Sequence, residues 1–486
     1  MSTYDVIIIG AGMTGSIIAR ELSVYRIKVA VMERSLYVCG GQSKANGAII
    51  HGGHDPEPET LKARLNVEGN RMFPRLCEEL GVSFRQSGIY VIAFEKSEFR
   101  VLLRLLEQGE RNGVRGLRIL KAPELRVSEP KISRKAVGAL CISSGGIVDV
   151  HRLVIACAEH ASMNGCQFRF GEQVLGLLRQ EKRIEGVITT SGEHRSRLVV
   201  NCAGVYADDV MRMAGIENFC IIPRKGEYYI LDRAEGDIVS RPCFQVPTPG
   251  GKGILIFPTT NGNGIIGGDS VVIRDKADTS TTAEGYRKVC RNVRRLVPDI
   301  DTERIIASFA GIRAVSSTGD FLIEKAEEVE GLINVAGIAS PGLSAAPAIA
   351  RSVVDLIGSE ITLKKANGKI RSYRLNPLFR DASDTEKESL LRENQGYGRV
   401  VCRCENITEG DILEAIYAPI PARTVDAIKL RTKAGIGRCQ GAFDMSRIIE
   451  ILTRETGIRP MDVLKNGRES RIVYGYLKGQ GTDETR

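Results

Sequence analysis

The feature that most constrains the fold is the N-terminal segment YDVIIIGAGMTGSIIARELSVYRIKVAVMER. DVIII predicts a buried parallel strand, MTGSIIARELS has helical spacing, and KVAVME predicts a second strand that ends at Glu33. Gly10, Gly12 and Gly15 form G-x-G-x-x-G at the turn, where they permit a tight bend, close approach of a pyrophosphate and packing of helix on strand. The helix N-terminus then faces the phosphates, and Glu33 is placed for a ribose hydroxyl. The segment predicts a dinucleotide-binding unit.

Two later segments have the same strand-and-turn character and favour FAD over NAD. They are RSRLVVNCAGVYADDV (195–210) and GLINVAGIASPGLSAAPAIARSVVDLI (331–357). The N-terminal position of the glycine signature also favours FAD, and a helix that begins after such a loop can direct its dipole at the flavin. We expect FAD-binding segments at about 1–80, 145–215 and 305–360, with substrate segments between them.

The predicted fold class is therefore α/β: a Rossmann-type FAD-binding domain with an inserted mixed β-sheet substrate domain, plus a small α-helical C-terminal domain that carries cysteines. We expect the FAD-dependent region to cover 1–375, followed by a linker at 376–398. A helical domain of the [2Fe–2S] type is expected at 399–456 and a tail at 457–486. The polar stretch DASDTEKESLLRENQGYG (381–398) motivates the linker.

Composition limits the class of partner. The formal net charge is +9, with basic residues spread along the chain, and there is no Trp. A solvated basic surface or attraction of a small anionic substrate explains this balance. The lack of a recognition motif and the low aromatic content argue against nucleic-acid binding.

The cysteine pattern indicates a reducing compartment. There are twelve cysteines in a long chain, with neither a secretory signal nor an apolar stretch of bilayer length. We therefore expect a cytoplasmic protein without disulfides. This expectation is compatible with peripheral contact between the protein and a membrane. Nine scattered cysteines are expected to be small buried hydrophobes.

The remaining three cysteines cluster near the C-terminal end. VCRCEN carries Cys402 and Cys404, and after 34 intervening residues GIGRCQGAFD carries Cys439 and, five residues later, Asp444. This spacing resembles the bacterioferritin-associated-ferredoxin-like [2Fe–2S] domain, in which a fourth cysteine would stand at Asp444. Three interpretations stay open: a [2Fe–2S] cluster with Asp444 as a ligand, a site without metal that serves packing or docking, and another metal such as zinc.

KANGAIIHGGHDPEPETLKARLNVEGNRMFPRLCEELGVSF (44–83) carries a wider resemblance, which continues through 145–154, 222–232, 247–268 and 309–324. These segments resemble the FAD-dependent glycerol-3-phosphate dehydrogenases and oxidases of the D-amino-acid-oxidase superfamily. L-2-hydroxyglutarate oxidases share much of the pattern. With the glycine signature, we expect the following residues at the flavin: Gly10, Gly12, Gly15, Glu33, Ser43, Asn46, Gly204, Gly337, Gly342 and Leu343.

The resemblance implies a catalytic base for alcohol oxidation. Removal of the hydroxyl proton needs a group whose pKa is near the working pH, and His suits this role. His51 occupies the family's I-H-x-G position. We expect His54 to be an exposed loop residue, and His151, His160 and His194 to occupy surface or helix positions.

The resemblance also implies cationic groups for an anionic substrate. Arg313 matches a substrate-binding arginine, Lys252 a phosphate-contacting lysine, and Ser340 lies in a loop that reaches flavin and substrate. An ion-paired core Arg, an exposed turn Lys and a helix N-cap Ser are the structural alternatives. The family usually has serine in K-A-N-S-A-I-V-H, whereas this chain has Gly47, which leaves room for a bulkier substrate.

The predicted function is FAD-dependent oxidation of sn-glycerol 3-phosphate or a close anionic 2-hydroxy analogue by hydride transfer to flavin. The electrons would pass to a partner, such as a second flavoprotein or an acceptor subunit. One alternative is an L-2-hydroxyglutarate or proline-type amino-acid dehydrogenase. Another is an electron-transfer or scaffold subunit of a multisubunit oxidoreductase.

Overall fold

The computed structural model describes residues 2–247, 253–366, 368 and 370–475. The chain divides into two compact units: Met1–Arg34 with Val38–Asn376, and Ser35–Tyr37 with Pro377–Arg486. In chain order the strands are β1 (Ser2–Ile9), β2 (Val29–Glu33), β3 (Ile49–Ile50), β4 (Phe84–Arg85), β5 (Ile89–Ala93), β6 (Leu117–Lys121), β7 (Gly138–Ile142), β8 (Gly146–Val148), β9 (Gln167–Phe170), β10 (Val174–Gln180), β11 (Arg183–Thr189), β12 (Gly192–Asn201), β13 (Ile221–Leu231), β14 (Cys243–Gln245), β15 (Leu255–Pro258), β16 (Gly264–Gly267), β17 (Val271–Val272), β18 (Ile305–Ser316), β19 (Leu322–Lys325), β20 (Leu332–Ala336), β21 (Val400–Cys402) and β22 (Ile407–Thr408).

The helices are α1 (Met13–Leu22), α2 (Leu61–Leu80), α3 (Lys96–Arg111), α4 (Ala122–Ser128), α5 (Val150–Met163), α6 (Ala207–Met213), α7 (Ala283–Leu296), α8 (Gly342–Glu360), α9 (Asp384–Glu393), α10 (Glu409–Tyr417), α11 (Val425–Thr432) and α12 (Met445–Thr456). None of the helices in the described part of the chain is long and apolar enough to cross a membrane.

The first unit contains the predicted nucleotide sheet. Its strands run in the order β10-β11-β12-β1-β2-β9, with β20 paired to β12 and β19 paired to β20. The β1 strand is parallel to both β2 and β12, and β20 is parallel to β12. Val6, Ile7 and Ile8 are fully buried, as expected for a central parallel strand. The carboxyl ends of these strands therefore meet at one edge, which is where ligands bind in such sheets.

The second sheet of this unit is the predicted mixed sheet. Its order is β17-β13-β16-β15-β14-β5-β7-β6, with β18 paired to β13. The pairing is antiparallel except between β14 and β5, which are parallel. The long β13–β18 ladder pairs Arg224 with Arg313 and Tyr228 with Phe309. Along the chain, the strands of this sheet lie between strands of the nucleotide sheet: β5 to β7 come between β2 and β9, and β13 to β18 come between β12 and β19. The predicted insertion of a mixed sheet into the FAD-binding fold is therefore confirmed.

The C-terminal unit is small and mainly helical. It contains the β21–β22 hairpin and helices α9 to α12. Thr408 caps α10: its hydroxyl accepts from the Asp411 amide, and the Thr408 amide and hydroxyl both donate to the Asp411 carboxylate. The segment expected to be a linker instead belongs to this unit: the rings of Phe379 and Tyr397 stack 5.6 Å apart, and the Phe379 amide donates to Asp411.

Two side chains, those of His194 and Cys220, lie in positions that differ from the ones expected from the sequence. His151 and His160 lie on α5 as expected, but His194 is on strand β12 and is buried beside Glu172. The expectation of a surface or helix position was wrong for His194, because at this residue β12 is paired on both sides, with Ser2 of β1 and Val187 of β11. Cys220 is exposed rather than a buried hydrophobe; all twelve cysteines, which lie in the described ranges, are free thiols.

Candidate active site and cysteine centre

In the turn after β1, packing requires glycine at two of the three glycine positions. Gly10 has φ +103°, and a Cβ there would lie 2.7 Å from the Cys202 carbonyl oxygen. A Cβ on Gly15 would lie 1.9 Å from the Gly10 carbonyl oxygen, so this glycine lets α1 pack directly on the turn.

Gly12 has a different role. A Cβ there would meet only the Ser43 hydroxyl, at 3.2 Å. Gly12 is the N-cap of α1 without a side-chain cap, and the Met13 amide donates to Ser43 Oγ at 2.9 Å. The space above Gly12 and the amides of the first helical turn fit an approaching pyrophosphate.

Glu33 ends β2 and lies beside this turn. It is 8% exposed, and its Oε2 accepts a hydrogen bond from the Ala11 amide at 2.7 Å. The contact fixes the carboxylate next to the phosphate-facing loop, which is the position that accepts ribose hydroxyls in dinucleotide folds. The residues present therefore fit FAD at this edge.

Three further loops meet at the same edge. The Gln42 amide donates to the Ile338 carbonyl at 3.0 Å, and a Cβ on Gly204 would lie 3.7 Å from Gln42 Oε1. Gly337, with φ +68°, follows β20 directly. The loop after Gln42 is closed by Asn46, whose Oδ1 accepts from the Ala48 amide at 2.7 Å. The sequence-predicted residues Ser43, Asn46, Gly204 and Gly337 thus come together.

The start of α8 connects this edge to His51. Gly342 and the buried Leu343 form its first turn. In the next position, the Ser344 hydroxyl accepts from the His51 amide at 2.7 Å. Ser340 is exposed and precedes Pro341, which is the N-cap of the helix, so Ser340 does not cap it.

Buried amides of α2 hold the backbone of His51 from the other side. The His51 carbonyl accepts from Asn66 at 3.2 Å and from Asn70 at 3.1 Å. The two asparagines are i and i+4 on α2 and are 0% and 9% exposed. Sequence reasoning missed Asn66, Asn70 and Ser344. The available signal was polar residues on the apolar face of a helix, since buried amides need partners.

His51 and His54 line one small pocket, together with Asp55, Val91, Phe244, Gln245 and Pro247. The His51 ring centroid lies 5.8 Å from that of Phe244. The expectation of an exposed His54 was wrong, since it is 5% exposed. Helix α3 covers it: a Cβ on Gly109 would approach His54 Cβ to 3.1 Å.

Arg313 projects from β18 and is held by two hydrogen bonds. Its Nη1 donates to the Asp269 carbonyl at 3.0 Å, and its Nη2 donates to the Tyr228 hydroxyl at 3.1 Å. A Cβ on Gly47 would lie 3.7 Å from the Phe257 ring and 3.9 Å from Tyr228. Gly47 and Arg313 therefore face the same tyrosine. Tyr228 and Phe257 were not predicted. Lys252 lies outside the described residues.

In the C-terminal unit the three predicted thiols converge. The Sγ atoms of Cys402 and Cys404 are 3.7 Å apart, and those of Cys404 and Cys439 are 3.6 Å apart. The Gly435 amide donates to Cys402 Sγ at 3.5 Å. Burial raises the pKa of the Cys402 thiol, and the adjacent Asp444 carboxylate raises it further.

Asp444 joins this group. It is 1% exposed, and neither carboxylate oxygen has a hydrogen-bond partner of ordinary geometry among the described residues. The described part of the chain forms no group of three or more His, Cys, Asp or Glu side chains placed to hold a single metal ion. Three thiols and an acid next to them are nevertheless a donor set suited to iron–sulfur chemistry.

The glycine turn on a parallel sheet, a pinned histidine and a mixed sheet bearing an arginine define a flavin-dependent oxidoreductase. Residues 5–356 match the family described as FAD dependent oxidoreductase (DAO), and the chain belongs to this family. Residues 400–452 match the BFD-like [2Fe-2S] binding domain. These matches confirm the predicted fold, the FAD cofactor and the type of C-terminal domain.

Individual relatives agree. The chain is 42% identical to a glycerol 3-phosphate dehydrogenase of Caloramator mitchellensis, over 98% of this chain and 99% of that one. It is 29% identical to an L-2-hydroxyglutarate dehydrogenase of Indibacter alkaliphilus, over 72% and 98%. Among solved structures it resembles the FAD-bound, dithionite-reduced L-alpha-glycerophosphate oxidase of Mycoplasma pneumoniae, with TM-score 0.74, 28% identity and coverage of 78% and 100%.

Proposed function

We propose that this enzyme oxidises glycerol 3-phosphate at its secondary alcohol. The observation that carries this proposal is the likeness to a glycerol 3-phosphate dehydrogenase, because it extends over nearly the whole of both chains. A relative that shared only the FAD-binding region would support the cofactor but say less about the substrate. FAD, when bound, supplies the hydride acceptor.

His51 is the proposed general base. Oxidation of the alcohol removes a hydride from carbon and a proton from oxygen, and the imidazole takes that proton. The pinning of the His51 backbone between Ser344 and the two asparagines of α2 supports this role, since a base acts efficiently only when its position is fixed. The two glycines that follow His51 let the loop pack closely, since a Cβ on Gly52 would lie 2.4 Å from Ile142 and one on Gly53 2.5 Å from Val67.

Arg313 is the proposed anchor for the anionic end of the substrate. Its guanidinium offers five N–H donors, of which two bond Asp269 and Tyr228 and fix its plane. The fork geometry suits phosphate or carboxylate. Lys252 and Ser340 remain proposed substrate contacts, and Gly47 is proposed to lie beside the substrate because its missing side chain would point at Tyr228.

The C-terminal unit is proposed to take part in passing electrons to an acceptor. Its [2Fe-2S]-type domain supports this role, because such domains carry single electrons. We propose a second flavoprotein or another acceptor subunit as the partner and the cytoplasm as the compartment. Contact with a membrane surface would then be peripheral.

The test is a dye-reduction assay with the purified, FAD-loaded chain on a panel of polyol phosphates and 2-hydroxy acids. We expect glycerol 3-phosphate to give the highest kcat/KM. A higher value for L-2-hydroxyglutarate or proline would replace this proposal with the corresponding dehydrogenase. If no substrate reduces the flavin, the chain is instead an electron-transfer or scaffold subunit.

A second candidate substrate has one observation in its favour. Position 47 has glycine where the family usually has serine, so a hydroxyl is missing. The missing side chain leaves space toward Phe257 and Tyr228. That space would accommodate a 2-hydroxy acid larger than glycerol 3-phosphate, such as L-2-hydroxyglutarate. The same panel distinguishes the two substrates.

A further inference from the structure

Asp444 occupies an unusual position for a buried acid. It is the residue before α12, where an aspartate normally accepts hydrogen bonds from the first amides of the helix. Here the side chain makes no capping hydrogen bond, although the backbone of Asp444 accepts from the Ile448 amide. The carboxyl group of Asp444 therefore does not cap α12.

This orientation buries a polar group that the helix does not use. Asp444 is 1% exposed, and among the described residues its two carboxyl oxygens meet no hydrogen-bond donor apart from the adjacent Cys402 thiol. Burying a polar group with few hydrogen bonds costs free energy, because its contacts with water are lost. A metal at this position would restore the lost contacts.

The surroundings of Asp444 indicate which cation. The Cys402 thiol lies against it, and Cys402, Cys404 and Cys439 converge with sulfur separations of 3.6 and 3.7 Å. Three soft sulfur donors favour iron–sulfur chemistry over a hard cation such as magnesium. The fourth position of the donor set is therefore the carboxylate.

The loop around these donors is closely fitted to them. A Cβ on Gly437 would lie 2.6 Å from Cys404 Sγ, so a larger residue would displace the sulfur. Gly441 has φ +87°, and a Cβ there would lie 3.5 Å from Asp444 Oδ1. The turn that leads from Cys439 to Asp444 thus needs glycine to bring the acid toward the thiols.

We propose that Asp444 is the fourth protein ligand of the iron–sulfur cluster, which would have three thiolates and one carboxylate. This inference rests on the proposed role of the C-terminal domain in electron transfer, but not on the substrate. A carboxylate is harder than a thiolate and donates less charge to iron. The cluster should therefore differ in spectrum and potential from one with four cysteines.

The test uses the full-length, FAD-loaded chain reconstituted anaerobically with ferrous iron and sulfide. Asp444→Asn keeps the size and capping ability of the side chain but removes the anion, and Asp444→Cys supplies the fourth thiolate. Ser446→Ala is the matched control on the exposed side of the same helix start. Iron, acid-labile sulfide, visible absorption and the EPR spectrum of the dithionite-reduced protein are measured.

We expect the wild type and Ser446→Ala to hold iron and sulfide in equal amounts with the same EPR g-values. Asp444→Asn should lose at least half of the cluster or shift those g-values. Asp444→Cys should retain the cluster and gain thiolate-to-iron absorption. The proposal is overturned if the wild type takes up no cluster, or if Asp444→Asn matches it in iron content and g-values while retaining FAD.

Flavin reduction by substrate is followed in the same samples and separates this proposal from the proposed function. If glycerol 3-phosphate fails to reduce the flavin but Asp444→Asn changes the cluster, only the substrate assignment fails. If the flavin is reduced normally but Asp444→Asn leaves the iron content and the g-values unchanged, only the ligand assignment fails.

Discussion

At the scale of single residues, sequence reasoning singled out the groups that we propose bear the chemistry and missed those that position them. His51 and Arg313 stood out through their motifs, whereas Asn70 and Tyr228 had no motif. Their roles come from tertiary contacts, with Asn70 on the His51 carbonyl and Tyr228 on Arg313. The burial of His54 was missed because the two glycines before it and the Asp-Pro pair after it resemble a surface loop, whereas α3 covers the histidine.

Asn70→Ala tests the positioning of His51. Asn70 donates to the carbonyls of His51 and Ser144, and its loss frees the loop that carries the base. We expect kcat to fall about tenfold with little change in KM, because misplacement of a catalytic group acts mainly on the chemical step. Steady-state kinetics with glycerol 3-phosphate measures both values.

Asn164→Ala is the matched control, because Asn164 also donates to two backbone carbonyls, those of His160 and Arg371. Both variants should lose stability, by about 1–3 kcal/mol for the two side-chain hydrogen bonds that each one loses. An equal loss of kcat in the two variants would show that Asn70 contributes to stability alone.

Gly47→Ser tests the shape of the substrate site. The added Cβ meets only ordinary contacts, at 3.7 Å from Phe257 and 3.9 Å from Tyr228, so the fold should tolerate it. We expect the new hydroxyl to raise kcat/KM for glycerol 3-phosphate about two- to tenfold, the value of one hydrogen bond. Activity on L-2-hydroxyglutarate should fall because the space is smaller.

Gly41→Ser controls for this change, since a Cβ at Gly41 meets no atom within 4 Å. It should leave the preference between the two substrates unchanged. If Gly47→Ser behaves like this control, Gly47 does not lie beside the substrate.

At the scale of elements, the first strand–turn–helix–strand unit could be predicted in nearly full detail. A buried strand, three spaced glycines and a terminal acid admit few other structures, and β1, α1 and β2 lie where the pattern put them. The mixed sheet could be predicted only as a class, because its nine strands pair across large sequence separations that periodicity cannot report.

Gly12 and Gly15, in the turn between β1 and α1, should respond differently to substitution by alanine. Gly15→Ala places a Cβ 1.9 Å from the Gly10 carbonyl oxygen and should prevent α1 from packing, so the Tm falls. Gly12→Ala displaces only the Ser43 hydroxyl, so the protein should fold but retain less FAD. Thermal unfolding and the ratio of FAD to protein after purification check this. Equal loss of stability in both variants would contradict it.

Glu409 holds the C-terminal helices together and should make them sensitive to pH. Its fully buried carboxylate accepts from Arg399 at 2.9 Å and from Arg454 at 2.7 Å. Hydrogen bonding by Arg399 is the largest cause that lowers the pKa of Glu409, to about 2. The unfolded chain binds this proton at higher pH than the folded one. The stabilisation is therefore complete above the usual Glu range and is lost as the pH falls toward 2.

Glu409→Gln should lower stability at neutral pH by about 1–2 kcal/mol, since the guanidinium groups are half-exposed. The difference from the wild type should shrink by pH 3. Glu450→Gln, which removes an exposed acid paired with Arg447, should change little at either pH. Thermal unfolding at both pH values measures the effect, and a difference that is constant with pH would contradict it.

At the scale of the whole molecule, the chain forms two compact units, whereas the sequence predicts an FAD-dependent region, a linker and a separate helical domain. The boundary falls after Asn376, next to the predicted end of the FAD-dependent region. The polar segment 381–398 resembled a linker because its composition lacks an apolar stripe. It is ordered by specific contacts instead, such as the stacking of Phe379 on Tyr397 and the capping of α9 by Ser383.

The two units also divide the chemistry. The residues proposed to contact substrate and flavin lie in the first unit, and Cys402, Cys404 and Cys439 lie in the second. Loss of the cluster should therefore leave reduction of the flavin by substrate intact. The central claim, that this chain oxidises glycerol 3-phosphate with His51 as base, can be tested at the flavin alone.

The most direct measurement is the loss of flavin absorbance when the full-length, FAD-loaded chain is mixed anaerobically with glycerol 3-phosphate. The wild type should bleach rapidly, and His51→Asn should bleach at least about 100-fold more slowly while it retains FAD, as expected for removal of a general base. His160→Asn, a change on α5, should match the wild type. Bleaching of His51→Asn at the wild-type rate, or no bleaching of the wild type, would contradict the account.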